Sequence, residues 1–319
     1  MKKFLRFAFF FAITFVFWGI LFAVSMFLLG CKTRPIPAAE TPVPSLSLVF
    51  HGVEAVDPVH LGLNYTLEIE NPFPVAGRAR IESWQVEINK KSAVSGFSLE
   101  AGADNEFALK AALPGTGGDT VGSTGGNSVP ALNSIPLRLN MDVDVLSGEG
   151  LAPADDYSVN LILNLAFSSG LSPPVKIKVS GIGTFPGVRP PVFSITAIAI
   201  LKAELINTRF RVGLKIENPN PFPVELSSFG YELYGNGRLW ADGMEKNIIK
   251  VPGKSSVDGN LFLLMNFINM KRDLLDQVIN LVDVNYRFTG EAQVGTGVDY
   301  LHDFKTGFDL SGYSKVYDN

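Results

Sequence analysis

The sequence predicts an all-β chain: two tandem antiparallel β-sandwich domains of the immunoglobulin or fibronectin-III kind, after an N-terminal apolar signal or anchor helix. Three observations predict it. Apolar and polar residues alternate with period two over many segments, which puts one strand face in a core and the other in water. A strand-and-turn motif occurs twice, as LNYTLEIENPFPV over residues 63–75 and FRVGLKIENPNPFPV over residues 210–224. The copies lie 147 residues apart, counted from Glu70 to Glu217. That spacing suits a whole domain rather than a solenoid unit.

The chain opens with Lys2, Lys3 and Arg6, followed by an uncharged apolar run over residues 7–29. Secretory signals have this order of features, and the run is also long enough to span a bilayer. Leu28-Leu29-Gly30-Cys31 resembles a bacterial lipoprotein signal, in which a small residue precedes a cysteine that receives lipid. The resemblance makes residues 1–30 the signal and Cys31 the lipidated first residue of the mature protein. The alternative is an uncleaved transmembrane anchor with a chance cysteine at its end. Cys31 is the only cysteine, which excludes an intrachain disulfide and a multi-cysteine zinc site. Residues 31–44 then form a tether with prolines at 35, 37, 42 and 44, extended rather than periodic.

The first domain is expected over residues 45–188. Leu61, Leu63, Tyr65, Leu67 and Ile69 alternate with polar residues or glycine. Ile135, Leu137, Leu139, Met141, Val143 and Val145 do the same and predict one strand running to 145. Val159, Leu161, Leu163, Leu165 and Phe167 keep the period, and Val175, Ile177 and Val179 flank two lysines. Residues 115–127 hold six glycines and read as a mobile loop. Arg189-Pro190-Pro191 marks the junction to a second domain over residues 189–319. There Leu46-Ser47-Leu48 falls on Phe193-Ser194-Ile195, Trp84 on Tyr231, Asn89 on Asn236 and Gly96 on Gly243. Asn269 is placed to cap a helix over 270–282 whose Leu274, Leu275, Val278 and Leu281 form an apolar side. Trp84 and Trp240 read as core anchors.

Composition excludes several classes of function. The formal charge is −4, and removal of Lys2, Lys3 and Arg6 leaves −7 on the remainder. A phosphate-backbone binder needs a basic face, so no nucleic-acid partner is expected. His51, His60 and His302 are scattered, and the sequence contains no HExxH, CxxC, GxSxG, P-loop or Rossmann pattern. No metal, cofactor or catalytic residue is expected.

The repeated Asn-Pro closes a strand. Proline cannot continue a ladder and holds the preceding Asn in extended geometry. The Asn side chain can bond backbone groups where the ladder stops. Asn71, Pro72, Phe73 and Pro74 in the first copy, and Asn218, Pro219, Asn220, Pro221, Phe222 and Pro223 in the second, therefore read as structural, with Phe73 and Phe222 turning back into the cores.

Residues 216–243, IENPNPFPVELSSFGYELYGNGRLWADG, resemble the late embryogenesis abundant type 2 family, also called the water stress and hypersensitive response domain. Asn218-Pro219-Asn220 matches the family's turn. Tyr231, Leu233 and Tyr234 match the aromatic strand, Gly235-Asn236-Gly237 the hairpin, and Ala241-Asp242-Gly243 the closing element. The first copy lacks the second Asn-Pro pair and is a divergent copy. The resemblance implies a sandwich without established catalytic residues, associated with desiccation and stress protection. It implies a bacterial envelope protein, held at a membrane through lipidated Cys31, with envelope proteins or lipids as partners. Two alternatives stay open: a lipid-binding envelope protein, and an exported hydrolase built on the acids Glu149, Asp155, Asp156, Asp299 and Asp303, with His302 beside them.

Overall fold

A computed structural model describes residues 43–318, apart from 103–104, 113–129, 149, 152, 171–172, 203–206, 267–283 and 315. Cys31, the apolar leader, the tether up to residue 42, the glycine-rich loop, Glu149 and the helix expected over 270–282 lie outside the described residues. The first group of strands is β1 (Ser45–Ala55), β2 (His60–Asn71), β3 (Gly77–Ile88), β4 (Lys91–Ala93), β5 (Phe97–Glu100), β6 (Glu106–Leu109), β7 (Ala131–Asp142), β8 (Asp156–Ser168) and β9 (Val175–Pro186), with a short helix α1 (Val143–Gly148) between β7 and β8. The second group is β10 (Val192–Lys202), β11 (Asn207–Asn218), β12 (Val224–Gly235), β13 (Arg238–Glu245), β14 (Ile249–Val251), β15 (Ser255–Asn266), β16 (Val284–Val298), β17 (Leu301–Ser314) and β18 (Val316–Asp318).

Each group makes two sheets. In the first, one sheet has the order β1-β2-β7-β5 and the other β4-β3-β8-β9, with β6 also on β3. In the second, the orders are β15-β11-β10-β18 and β13-β12-β16-β17, with β14 also on β12. The pairings are antiparallel, except that β18 runs parallel to β10. The predicted alternation is what the sheets bury: Leu63, Leu67 and Ile69 of β2 meet Leu161, Leu163 and Leu165 of β8 in one core. Phe210, Val212, Leu214 and Ile216 of β11 meet Phe229, Leu233, Phe288 and Val294 in the other. Burying one such side chain contributes about 1.5–3 kcal/mol, so two filled cores form without any covalent cross-link.

The two groups share register. In β1–β2, Ser45, Leu46 and Leu48 face Glu70, Ile69 and Leu67. In β10–β11, Val192, Phe193 and Ile195 face Glu217, Ile216 and Leu214, each residue 147 positions further on. The hairpins after β3 and β12 match as well. Asn89 and Lys90 have φ of 48° and 69°, and Asn236 and Gly237 have 48° and 77°, the left-handed pair that a type I′ turn requires. Both asparagines then latch a neighbouring strand. The Ser158 N–H donates to Asn89 Oδ1 at 2.9 Å, and the Asn285 N–H donates to Asn236 Oδ1 at 3.2 Å.

Three expectations change. The strand expected to reach Val145 stops at Asp142, because Asp142 Oδ1 accepts the Asp144 and Val145 N–H groups at 3.0 and 3.1 Å and caps α1. Gly96 and Gly243 are not equivalent: Gly96 sits in a turn at φ +78° against Leu146, whereas Gly243 lies in β13 beneath Tyr231. The correspondence ends there because β4 is three residues long and β13 eight. Trp240 is a buried core residue stacked on Phe210, ring centroids 5.7 Å apart, while Trp84 is half-buried at the edge of its core.

Gly235 lies directly under Trp240: a Cβ there would sit 1.9 Å from the indole ring. Gly235→Ala is therefore expected to lower stability by about 1–3 kcal/mol. Gly148→Ala, whose Cβ would meet nothing within 4 Å, should stay within about 0.5 kcal/mol of the parent. Urea unfolding of the two variants checks this.

Candidate functional site at the Asn-Pro turns and the linker

Strands β2 and β11 belong to one sheet of each group, and the following strands β3 and β12 to the other. The chain must cross between sheets, and the crossover leaves carbonyls without ladder partners. Two buried side chains supply them. Asn71, 0 % exposed, donates from Nδ2 to Val75 O at 2.9 Å and Lys110 O at 2.8 Å, while its Oδ1 accepts the Phe73 N–H at 3.0 Å. Asn218 repeats this pattern. Its Nδ2 donates to Phe222 O at 2.7 Å and to Val251 O and Pro252 O at 3.1 and 3.2 Å, and its Oδ1 accepts the Asn220 N–H at 2.9 Å. Buried polar atoms must be bonded, and an amide offers donors and an acceptor on one short stem.

The residue two places beyond each of these asparagines takes a different role in each half. In the first, Phe73 is buried and stacks on Phe167, centroids 5.7 Å apart. In the second, Asn220 is buried and reads the linker backbone: the Arg189 N–H donates to Asn220 Oδ1 at 2.7 Å, and Asn220 Nδ2 donates to Arg189 O at 2.8 Å. So the register partner of Phe73 is Asn220, not Phe222. Phe222 is half-buried and lines the junction.

Charges complete this clasp. Arg189 Nη2 donates to Pro219 O at 2.5 Å and to Asp155 Oδ1. Lys254 Nζ donates to Asp155 Oδ1 at 2.6 Å and to Pro219 O at 2.9 Å. The Lys254 ammonium bonded to Asp155, with Arg189 beside it, holds that carboxyl below the usual range. Asp155 comes from the first half of the chain, and its partners lie on the linker and in the second half. The junction also has an aromatic side. The Tyr300 hydroxyl donates to Pro186 O at 2.5 Å, and its ring meets Phe185 edge-on with centroids 6.0 Å apart. Burial pushes the Tyr300 phenol well above its usual range. A cleft of about 590 Å³ lies here, lined in part by Phe50, Phe185, Phe222, Val298 and Tyr300.

The acids weighed for hydrolysis are dispersed. Asp155 is engaged in the clasp, Asp156 begins β8, and Asp303 accepts from Gln293 Nε2 at 2.8 Å. Asp299 lines the junction cleft, and His302 is exposed on β17. Among the described residues no three His, Cys, Asp or Glu side chains are grouped to hold a metal ion. Lys254 is the site residue that sequence reasoning missed, and Asp155 was weighed there only as an acid for hydrolysis, not as part of a clasp. An Asp after a Gly/Pro/Ala turn looks like ordinary turn chemistry, and only the fold brings residue 155 to residue 254. Arg189 was marked as the junction by its Pro-Pro sequel, but its partners had no local signal.

Residues 213–304 match the family model described as late embryogenesis abundant protein. This segment is a late embryogenesis abundant type 2 domain. It runs from within β11 to within β17 and so contains Asn218, Asn220 and the Phe222 side of the cleft. The chain matches no curated protein in sequence. Among solved structures, a protein from Archaeoglobus fulgidus is similar at 16 % identity over 40 % of this chain and 96 % of that one, with a TM-score of 0.27. The periplasmic chaperone SfaE is similar at 11 % identity over 87 % and 100 %, with a TM-score of 0.21. A glycosyl hydrolase family 2 member from Bacteroides cellulosilyticus is similar at 6 % identity over 77 % of this chain but 28 % of its own, with a TM-score of 0.25. Superpositions at this level establish no shared topology.

Removing the amide of Asn71 or Asn218 orphans buried carbonyls. Asn71→Ala and Asn218→Ala are each expected to cost about 2–4 kcal/mol in urea unfolding, since each unsatisfied buried group costs about 1–3 kcal/mol. For the clasp, Asp155 has a lowered pKa, so its stabilising effect is full above the ordinary carboxyl value of 3.8 and is lost as pH falls through the lower folded value. Limited proteolysis at the linker should accelerate on acidification in the parent, whereas Asp155→Asn should be cut readily at neutral pH already.

Proposed function

We propose that this chain is a non-catalytic, lipid-anchored protein of the bacterial cell envelope. Its two tandem sandwich domains, immunoglobulin- or fibronectin-III-like and both of late embryogenesis abundant type 2 descent, bind or shield other molecules under water stress. The observation that carries the reading is the family match over 213–304. Two features support it. The buried Asn of the family turn recurs with the same bonding pattern at Asn71 and Asn218. Asp155, Arg189 and Lys254 are committed to holding the junction together. Lipid binding between the sheets draws no support from cores filled by Leu63, Leu139, Phe210 and Phe288, and the hydrolase reading none from acids that do not converge.

The shielding role is tested by drying a labile model enzyme with the purified protein or with an equal mass of albumin. Greater recovered activity with this protein is expected; parity with albumin removes the stress-protection role. The anchor is tested separately by labelling cells with radioactive palmitate. The parent chain should take up label and Cys31→Ala should not, and label retained by Cys31→Ala would refute lipidation at that residue.

A further inference from the structure

The outer faces of the two sheets in the second half carry opposite chemistry. On β15, Phe262 and Leu264 stand 68 % and 58 % exposed. Directly opposite them on β11 are Arg211 and Arg209, and side chains of directly opposed residues share a face. Neither arginine has an ion pair among the described residues, whereas Lys215, further along β11, is bonded to Glu217. Two apolar side chains with two unpaired cations therefore project from a chain of formal charge −4.

The other sheet holds a groove. Across β13, β12, β16 and β17 one outward row runs Met244, Gly230, Glu291 and Gly307, and the next runs Asp242, Glu232, Thr289 and Asp309. A depression of about 1010 Å³ lies over them. Asp309 is bonded to Arg287, and Glu232 accepts from the Tyr234 hydroxyl at 2.8 Å. Asp242 and Glu291 have no ion pair among the described residues. The fold requires neither glycine. A Cβ at Gly230 would meet Glu291 O at 3.8 Å and Met244 Cε at 4.0 Å, and one at Gly307 would meet Gly290 O at 3.8 Å, all ordinary contacts. What glycine does at both positions is leave the floor of the groove bare.

The spacings match. Neighbouring strands lie about 4.8 Å apart in every sheet, so Phe262 is offset from Arg211 as Gly230 is from Glu291. Strand β13 lies beside β15 at one edge of the sandwich, and β11 ends where β12 begins. A second copy can therefore keep the same orientation when its β15–β11 face is laid on this groove. Phe262 then seats over Gly230 and Arg211 over Glu291, while Arg209 falls on the row of Glu232 and Thr289. We propose that the second half binds a second copy of this chain in this way, the apolar and cationic face of one on the glycine-floored, acidic face of the next. The two faces lie on opposite sides of one sandwich, so the contact is heterologous, and repeating it builds an open stack. A face of four strands about ten residues long covers about 600 Å², below the roughly 800 Å² per partner of a standard interface, so the association is reversible.

The test is sedimentation equilibrium of the full-length chain in density-matched detergent, with micelles in excess over protein. Concentration-dependent association is expected, weaker by about tenfold at 1 M salt because exposed charges are then screened. A cation variant, Arg209→Glu with Arg211→Glu, and an acid variant, Asp242→Lys with Glu291→Lys, should each associate at least about tenfold more weakly than the parent. An equimolar mixture of the two should associate like the parent, because each variant's altered face then meets a face of opposite charge. Gly230→Val should also lower association at least about tenfold by filling the groove, with its urea midpoint unchanged. A chain that stays monomeric leaves the face to another partner and overturns the proposal. So does undiminished association of either charge variant; in the acid variant it would mean that the apolar face pairs with itself. A mixture that fails to restore association, or a Gly230→Val chain that associates like the parent, overturns it too. None of these outcomes depends on the drying assay or the palmitate label, so this inference and the proposed function fail separately.

Discussion

The structure depends on how a buried strand end is satisfied. In each half the chain leaves one sheet at Asn-Pro and enters the other within a few residues, and that crossing takes place inside the fold rather than over it. There the buried Asn amide meets the carbonyls of Val75 and Lys110, or of Phe222, Val251 and Pro252. A buried carbonyl without a donor costs about 1–3 kcal/mol, against a total stability of about 5–15 kcal/mol for a typical domain. Aspartate offers no donors, glutamine has a longer stem, and serine has a single hydroxyl. Asparagine fits because its amide can donate to carbonyls on two different segments while its oxygen holds the turn two residues on. The apolar cores supply most of the driving force, and this polar contact holds the crossover between the sheets that enclose them.

With Asn71 and Asn218 committed to the crossover, the residue two positions later is free to diverge. Phe73 fills the space with an aromatic ring against Phe167. Asn220 turns the same position into a reader of the linker, using its oxygen and its amide on the N–H and C=O of a single residue, Arg189. The second Asn-Pro pair is thus not a longer version of the first turn. It converts a core-packing position into one that ties the incoming chain to the domain, and Arg189 extends the tie to Asp155 and Pro219. A surface ion pair alone is worth about 0–1 kcal/mol. Asp155, Arg189 and Lys254 matter because they are joined to a buried two-way amide contact and to each other.

Much of this architecture was legible in the residues. Alternation around Leu63–Leu67 and Phe210–Leu214 is a period-two signal that no helix shares, and both segments lie centrally in their sheets. The left-handed pair at Asn236-Gly237 announced a hairpin through its glycine; the matching turn at Asn89, 147 residues earlier, has Lys90 in the glycine's place and so carried no such signal. Local chemistry misled where it competed with the period: Val143 and Val145 continue the alternation of β7, yet Asp142 offers its carboxylate to the next turn and wins. What could not be read was long-range. Nothing around Asp155 distinguishes a turn aspartate from a clasp, and nothing around Asn220 shows that its partner lies 31 positions earlier. Contacts between distant segments are decided by the fold, and a pattern confined to one strand carries no information about them.

The edges of the sheets follow from the same economy of space. Strand β9 approaches β1 so closely that a Cβ at Gly181 would meet Leu48 O at 2.4 Å and one at Gly183 would meet the Phe50 ring at 2.6 Å. These glycines let the two sheets of the first half close on one side, and they shield the β1 edge from Leu48 to Phe50. The shield ends where the bulge between Phe50 and Gly52 shifts the register. A bulge usually protects an edge by twisting it away from other strands. Here it falls between a covered stretch and an uncovered one, with the cleft opening immediately beyond it. In the second half the bulge lies between Ile195 and Ala197, two positions earlier in the repeat, and the chain lays β18 on the residues just past it. In the second half the edge past the bulge carries another strand, and in the first it borders an aromatic cleft with β9 alongside. The first half thus closes this side by the close approach that Gly181 and Gly183 permit, and the second by a short parallel ladder.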